Sequence, residues 1–206
     1  MMALTMAFVG ETVPKAKTGS AMGLLGTMSA IGTALAATLA TLTLGYVAFG
    51  MITMLVFTAG FAGGFLLWLL LPSRGAWRDI RGIYWLTMCL FVLHRIEEKQ
   101  LGFFQRLSEI TGEPTPSATS WPVLLLVAVS VGAWLFAPML MKHGHPLGAF
   151  FAWTFFASMG ITELAHFLVF PFMAGQPYAF VPGMLSVVVL APAAWLGMWW
   201  LARGRG

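Results

Sequence analysis

Residues 18–73 read TGSAMGLLGTMSAIGTALAATLATLTLGYVAFGMITMLVFTAGFAGGFLLWLLLPS, 56 positions between Lys17 and Arg74 without one charged side chain. A helix needs about 20 apolar residues, at about 1.5 Å each, to cross the hydrocarbon of a bilayer. The stretch is too long for one crossing and fits two helices, over 19–42 and 47–71, turning near Gly45-Tyr46. The rest of the chain has the same character. Of its 206 residues 59% are hydrophobic and 9% charged, with a mean hydropathy of +0.86. Soluble domains carry about 25% charged residues. Eleven basic and seven acidic side chains cannot wet the surface of a globule this size. A water-soluble enzyme, a nucleic-acid-binding module and a disordered chain are excluded, so no nucleic-acid partner is expected. Cys89 stands alone, which rules out an internal disulfide and a cysteine-based zinc cluster.

Beyond Arg81 the pattern continues. A third span is expected over about 82–105, with a polar insert beginning at His94. A polar loop with Glu109, Glu113, Pro114 and Pro116 follows. Span four runs over about 121–141, and Lys142-His143-Gly144-His145-Pro146 forms a short turn. Span five covers about 147–173 and span six about 180–202. The expected fold is all-α, a polytopic membrane protein of about six transmembrane helices. An N-terminal two-helix hairpin (1–75) precedes a C-terminal four-helix bundle (76–206). Lys15, Lys17, Arg74, Arg78, Arg81, Lys142, Arg203 and Arg205 fall on one side of that arrangement. Arg106 falls on the other, with Arg95 and Lys99 in or near span three. The bias places both termini in the cytoplasm. Met1–Gly10 has neither a basic leader nor a clear cleavage site, so no cleavable signal peptide is expected.

Ionisable residues inside a bilayer are costly, and their first reading is functional. Two groups stand out: His94-Arg95-Ile96-Glu97-Glu98 in span three and Glu163-Leu164-Ala165-His166 in span five. Helical spacing puts Glu97 and Glu98 on the His94 side of one helix, and Glu163 and His166 on one side of the other. Both spans run outward. His94 lies about 20 Å past Arg81 and Glu163 about 26 Å past Pro146, at a rise of about 1.5 Å per residue. The two groups therefore share a depth and can meet if the helices are neighbours.

Three carboxylates in a low-dielectric site repel one another, and a divalent cation relieves that repulsion. Glu-x-x-His pairs projecting inward from helices are the ligand pattern of di-iron and di-manganese bundles. His94, Glu97, Glu98, Glu163 and His166 are accordingly the candidate ligands for iron, manganese or zinc, with Glu97 or Glu98 available for acid–base work. Two other readings use the same residues. One is metal-free proton transfer on a lipid-like substrate; the other is a buried polar network that locks the helices together. His143 and His145 read as a solvated turn. Trp195, Trp199 and Trp200 read as interfacial anchors. Gly19-x-x-x-Gly23 and Gly60-x-x-x-Gly64 permit close helix approach.

The motif His94-x-x-Glu97-Glu98, the later Glu163-x-x-His166 and the four spans across about 81–203 resemble the HXXEE-domain family of bacterial membrane proteins. The resemblance implies a four-helix domain of the bacterial inner membrane acting as an enzyme, and it supplies no substrate. The segment of about 7–35, with Phe8-Val9-Gly10-Glu11-Thr12-Val13-Pro14-Lys15-Ala16-Lys17 and then Gly19, Gly23, Gly26 and Gly32, is similar to a helix of drug antiporters in the major facilitator superfamily. It departs from that pattern at Ala36-Ala37-Thr38-Leu39, and the chain has room for about half of such a transporter.

Two functions follow. One is a metal-dependent enzyme that takes a hydrophobic or lipid-like substrate from the bilayer. The other is an accessory subunit that docks on a membrane-protein partner through residues 19–71.

Overall fold

The computed structural model describes residues 15–114, 117, 119–173 and 178–204. Met1–Gly10, the Phe8–Pro14 part of the antiporter-like segment, Pro116 and Arg205 lie outside the described residues. The elements are α1 (Lys15–Leu70), α2 (Trp77–Gln100), α3 (Phe103–Thr111), α4 (Trp121–Lys142) and α5 (Pro146–Ala157). A π turn (Ser158–Thr162) continues α5, and α6 (Ala165–Leu168), α7 (Phe170–Met173) and α8 (Met184–Arg203) follow. The described residues contain no strand.

Four helices are long and apolar enough to cross a membrane: Gly19–Leu70, Trp121–Lys142, Pro146–Met173 and Met184–Arg203. α2 spans about 36 Å at about 1.5 Å per residue, but charges at both of its ends interrupt its apolar run.

α1 is broken rather than straight. The break falls at Gly50 (φ 77), not at Gly45-Tyr46. Gly45 stays helical, whereas Gly50 takes a left-handed conformation open to glycine at little cost. The Glu113 carboxyl group packs over Gly50, where a Cβ would lie 2.6 Å from Glu113 Cδ. The two arms fold toward each other, so that the Phe49 and Phe57 rings are 5.3 Å apart. The expected third span also ends early. α2 stops at Gln100, Gly102 (φ 71) redirects the chain, and α3 starts afresh with Phe103 and Leu107 buried. Glu109, expected in a loop, therefore sits on a helix.

α5 is the axis of the fold. Phe150, Trp153, Phe155 and Phe156 are fully buried on it, packed by α1, α4 and α8. Gly60 and Gly64 of α1 make the close approach expected of them. A Cβ on Gly60 would lie 2.4 Å from Ser158 Cα, and one on Gly64 2.5 Å from Thr154 Cα. The Gly60 N–H donates to Thr162 Oγ1 at 2.8 Å. Gly19 and Gly23 have open space above them.

Two polar side-chain groups hold helices in register. Pro138 has no N–H, so the Trp134 carbonyl one turn earlier loses its helical donor; the buried Tyr84 hydroxyl of α2 donates to it at 2.6 Å. The Trp195 indole N–H of α8 donates to the Gly160 carbonyl in the π turn at 2.7 Å. Trp195 is thus a strut between helices as well as a half-exposed aromatic. Trp199 stays half exposed and carries the Arg203 guanidinium 3.7 Å above its ring.

Candidate metal centre

Helix geometry separates the three residues of the α2 motif. Successive side chains are about 100° apart around a helix, so Glu97 and Glu98 flank His94 on opposite sides. Glu98 turns toward α6, and Glu97 turns toward the start of α8. On the other strand of the site, the π turn displaces the backbone just before Glu163. The Glu163 N–H reaches back to the Ser158 carbonyl, and the His166 N–H to the Glu163 carbonyl at 3.2 Å. A wide turn followed by a tight one aims Glu163 and His166 at a single point, and π bulges recur at functional sites for this reason.

His94, Glu98, Glu163 and His166 meet there, each at most 4% exposed. Their contacts form a closed ring of alternating nitrogen and oxygen. His94 Nε2 is 3.0 Å from Glu163 Oε2 and 3.4 Å from Glu98 Oε1. His166 Nε2 is 3.3 Å from Glu98 Oε1 and 3.5 Å from Glu163 Oε2. One ligand atom from each residue lies within 4.8 Å of all the others. Despite these short separations, His94 Nε2, His166 Nε2, Glu98 Oε1 and Glu163 Oε2 have no hydrogen-bond partner of acceptable angle. Buried polar groups are nearly always paired, and these four point at a shared centre instead of at one another. The two motifs meet, through His94 and Glu98 of one and Glu163 and His166 of the other.

Glu97 does not join the ring. Its Oε1 accepts from Gly183 N (3.0 Å) and Leu185 N (3.2 Å), and its Oε2 from Ser186 N (2.8 Å) and Ser186 Oγ (2.5 Å). It caps the N-terminus of α8, where a carboxylate is favoured by the unpaired amides and the helix dipole. It still acts on the site through Ser186. That hydroxyl gives its proton to Glu97, so at 2.9 Å it accepts from His94 Nδ1–H. A neutral imidazole with its proton on Nδ1 presents a bare lone pair at Nε2. The chain Glu97–Ser186–His94 favours the tautomer with its proton on Nδ1, the one in which Nε2 could bind an ion, as outer partners of ligating histidines do.

Three further residues shape the centre without having been singled out by the sequence. Gly183 (φ 103) lies against both imidazoles; a Cβ there would be 2.5 Å from His166 Cε1 and 2.8 Å from His94 Cε1. Its only signal is the Pro182-Gly183 pair before a helix. Ser186 has no sequence signal. Phe103 covers His166, ring centroids 4.8 Å apart. Arg95 is paired with Glu98 and lies 5.8 Å from the Phe104 ring. His143 and His145 sit exposed in their turn, as expected, hydrogen-bonded to the Met139 carbonyl and the Leu147 amide.

No protein-family model matches the chain, and no curated protein or solved structure matches it either. The resemblances to the HXXEE domain and to the drug antiporters gain no support from these comparisons.

Proposed function

We propose that the chain is a metal-dependent membrane enzyme. A divalent ion would be held by His94, Glu98, Glu163 and His166. The observation that carries this reading is the ring of four buried, convergent atoms without hydrogen-bond partners. Ligands about 2.0–2.1 Å from one ion lie about 3–4 Å from one another; the four nitrogen–oxygen separations are 3.0–3.5 Å, and the four ligand atoms all lie within 4.8 Å of one another. Two carboxylates buried side by side are costly, and Arg95 neutralises only one charge. Nitrogen and oxygen donors suit iron, manganese or zinc. Glu97 is then a positioning residue and not a ligand. Two crossings by the folded-back α1 and one each by α2, α4, α5–α7 and α8 give six spans with both termini cytoplasmic. The substrate is hydrophobic, and the ion supplies Lewis acidity or redox chemistry at the end of it that reaches the site.

Elemental analysis of the purified protein tests this. About one equivalent of iron, manganese or zinc is expected. Glu163→Gln and His166→Ala should each lower the content at least tenfold while the protein stays monodisperse. Metal-free wild type, or full occupancy in both variants, contradicts the reading.

A second reading is favoured by one observation: among the described residues, nothing packs above Gly19, Gly23, Gly26 and Gly32 of α1. On this reading α1 docks on a membrane-protein partner and the chain is an accessory subunit. Stoichiometric co-purification that is lost with Gly23→Leu and kept with His94→Ala distinguishes it from the first.

A further inference from the structure

α1 closes a cavity that ends at the metal centre. The cavity measures about 370 Å³ and lies between both arms of α1, α2, α4 and the π turn. Phe49, Phe57, Phe61, Phe91, Leu126 and Trp134 form most of its wall. Polarity is concentrated in one region. Ser158, Thr162 and Glu163 enter the lining from the π turn, with Arg95 nearby. The Ser158 hydroxyl is buried and has no hydrogen-bond partner, on a residue only 6% exposed. Thr41 and Thr58 also line the cavity, but each spends its proton on a carbonyl of its own helix. An unpaired buried hydroxyl is costly, and a ligand oxygen would relieve that cost.

The lining dictates the ligand. The volume is at the small end of ligand pockets, which run from about 300 to 1,000 Å³, and suits a single acyl chain or ring system inside the pocket. Arg95 is the cation of the lining and is already paired with Glu98, so an acidic head group finds no unpaired positive side chain among the lining residues. We propose that the cavity binds a single-chain or ring-shaped hydrophobic molecule, with a neutral hydroxyl end that accepts from the Ser158 hydroxyl and donates to the Glu163 carboxylate. Binding rests on the cavity alone. That the ligand is a substrate rests on the metal reading above, since Glu163 belongs to both the cavity wall and the ring of ligands. The N-terminal hairpin then builds half of the substrate site.

Photolabelling of the purified full chain tests the proposal. The probes are a fatty alcohol and a fatty acid, each carrying a diazirine in its chain, with labelled residues mapped by mass spectrometry. The alcohol should label Phe57, Phe61, Leu126 and Trp134, and the acid at least tenfold less. Ser130→Phe and Leu126→Trp, which fill the cavity, should each cut the alcohol label at least tenfold while metal content stays that of wild type. His166→Ala should lose metal and keep the label within about twofold. Labelling confined to bilayer-facing residues such as Leu185 and Val188, or unaffected by both filling variants, overturns the cavity site. Equal labelling by the acid overturns the neutral end group. A labelled cavity in wild-type protein that contains no metal overturns the metal reading and leaves the binding site standing.

Discussion

Glu97 and Glu98 are neighbours in the sequence, yet one caps a helix and the other faces two imidazoles. The motif told us that His94 had carboxylates one helical turn away, and depth arithmetic brought Glu163 and His166 to the same level. It could not say which carboxylate turned inward, because that depends on where α8 starts, and α8 begins about 85 residues further on. Ser186 was invisible for the same reason: a serine acquires its role only from the two side chains that it bridges. Ser186→Ala should remove the hydrogen bond that holds His94 in its ligating tautomer. Outer-partner losses weaken metal affinity about 10–100-fold, and that is the drop expected in a competitive chelator titration. Ser186→Thr, which keeps the hydroxyl, should recover most of the affinity. Equal affinity in Ser186→Ala would mean that the relay does not position His94. Gly183→Ala should be worse than a surface substitution on two counts, a strained left-handed backbone and a methyl pressed into both rings. Loss of bound metal, with the folded fraction also reduced, is the expected result in elemental analysis and size-exclusion chromatography.

At the scale of the helices, most existence and type assignments could be read from hydropathy, while the places where helices deviate could not. Continuous apolar runs conceal a break at Gly50, a redirection at Gly102 and a π turn at Ser158–Thr162. Each depends on contacts from elsewhere, such as Glu113 over Gly50 and Trp195 on Gly160. Pro138 shows the same dependence and offers a clean test. Tyr84→Phe strands the Trp134 carbonyl and should destabilise the protein by about 1–3 kcal/mol. Pro138→Ala returns a donor to that carbonyl from within α4. In the Pro138→Ala background Tyr84→Phe should therefore cost clearly less, a coupling that a double-mutant cycle of denaturation midpoints measures. Additive costs would show that the hydroxyl matters for some other reason.

For the molecule as a whole, composition pointed to a bilayer protein, four helices are long and apolar enough to cross a membrane, and the wide distribution of half-exposed leucines, valines and methionines on α1, α4 and α8 fits a lipid-facing surface. What composition could not convey is that α1 shares a core with the rest. Ala34 and Phe61 of α1 belong to the same apolar cluster as Tyr84, Trp134 and Phe155. The six-crossing arrangement predicts that reporter domains fused to either terminus stay cytoplasmic, while one inserted near Ser117 is translocated. Termini on opposite faces would show that α1 or α2 does not cross as argued.

The centre itself distinguishes a metal protein from a locked polar network, since the same four side chains can hold an ion or share protons. Anomalous diffraction from crystals of the purified protein, collected above and below the absorption edge of the metal that it contains, locates any ion directly. The account predicts one peak about 2.0–2.2 Å from both His94 Nε2 and His166 Nε2, with Glu98 and Glu163 completing the shell and Glu97 outside it. Well-ordered side chains around that point with no anomalous peak, in protein purified without chelator, would contradict it.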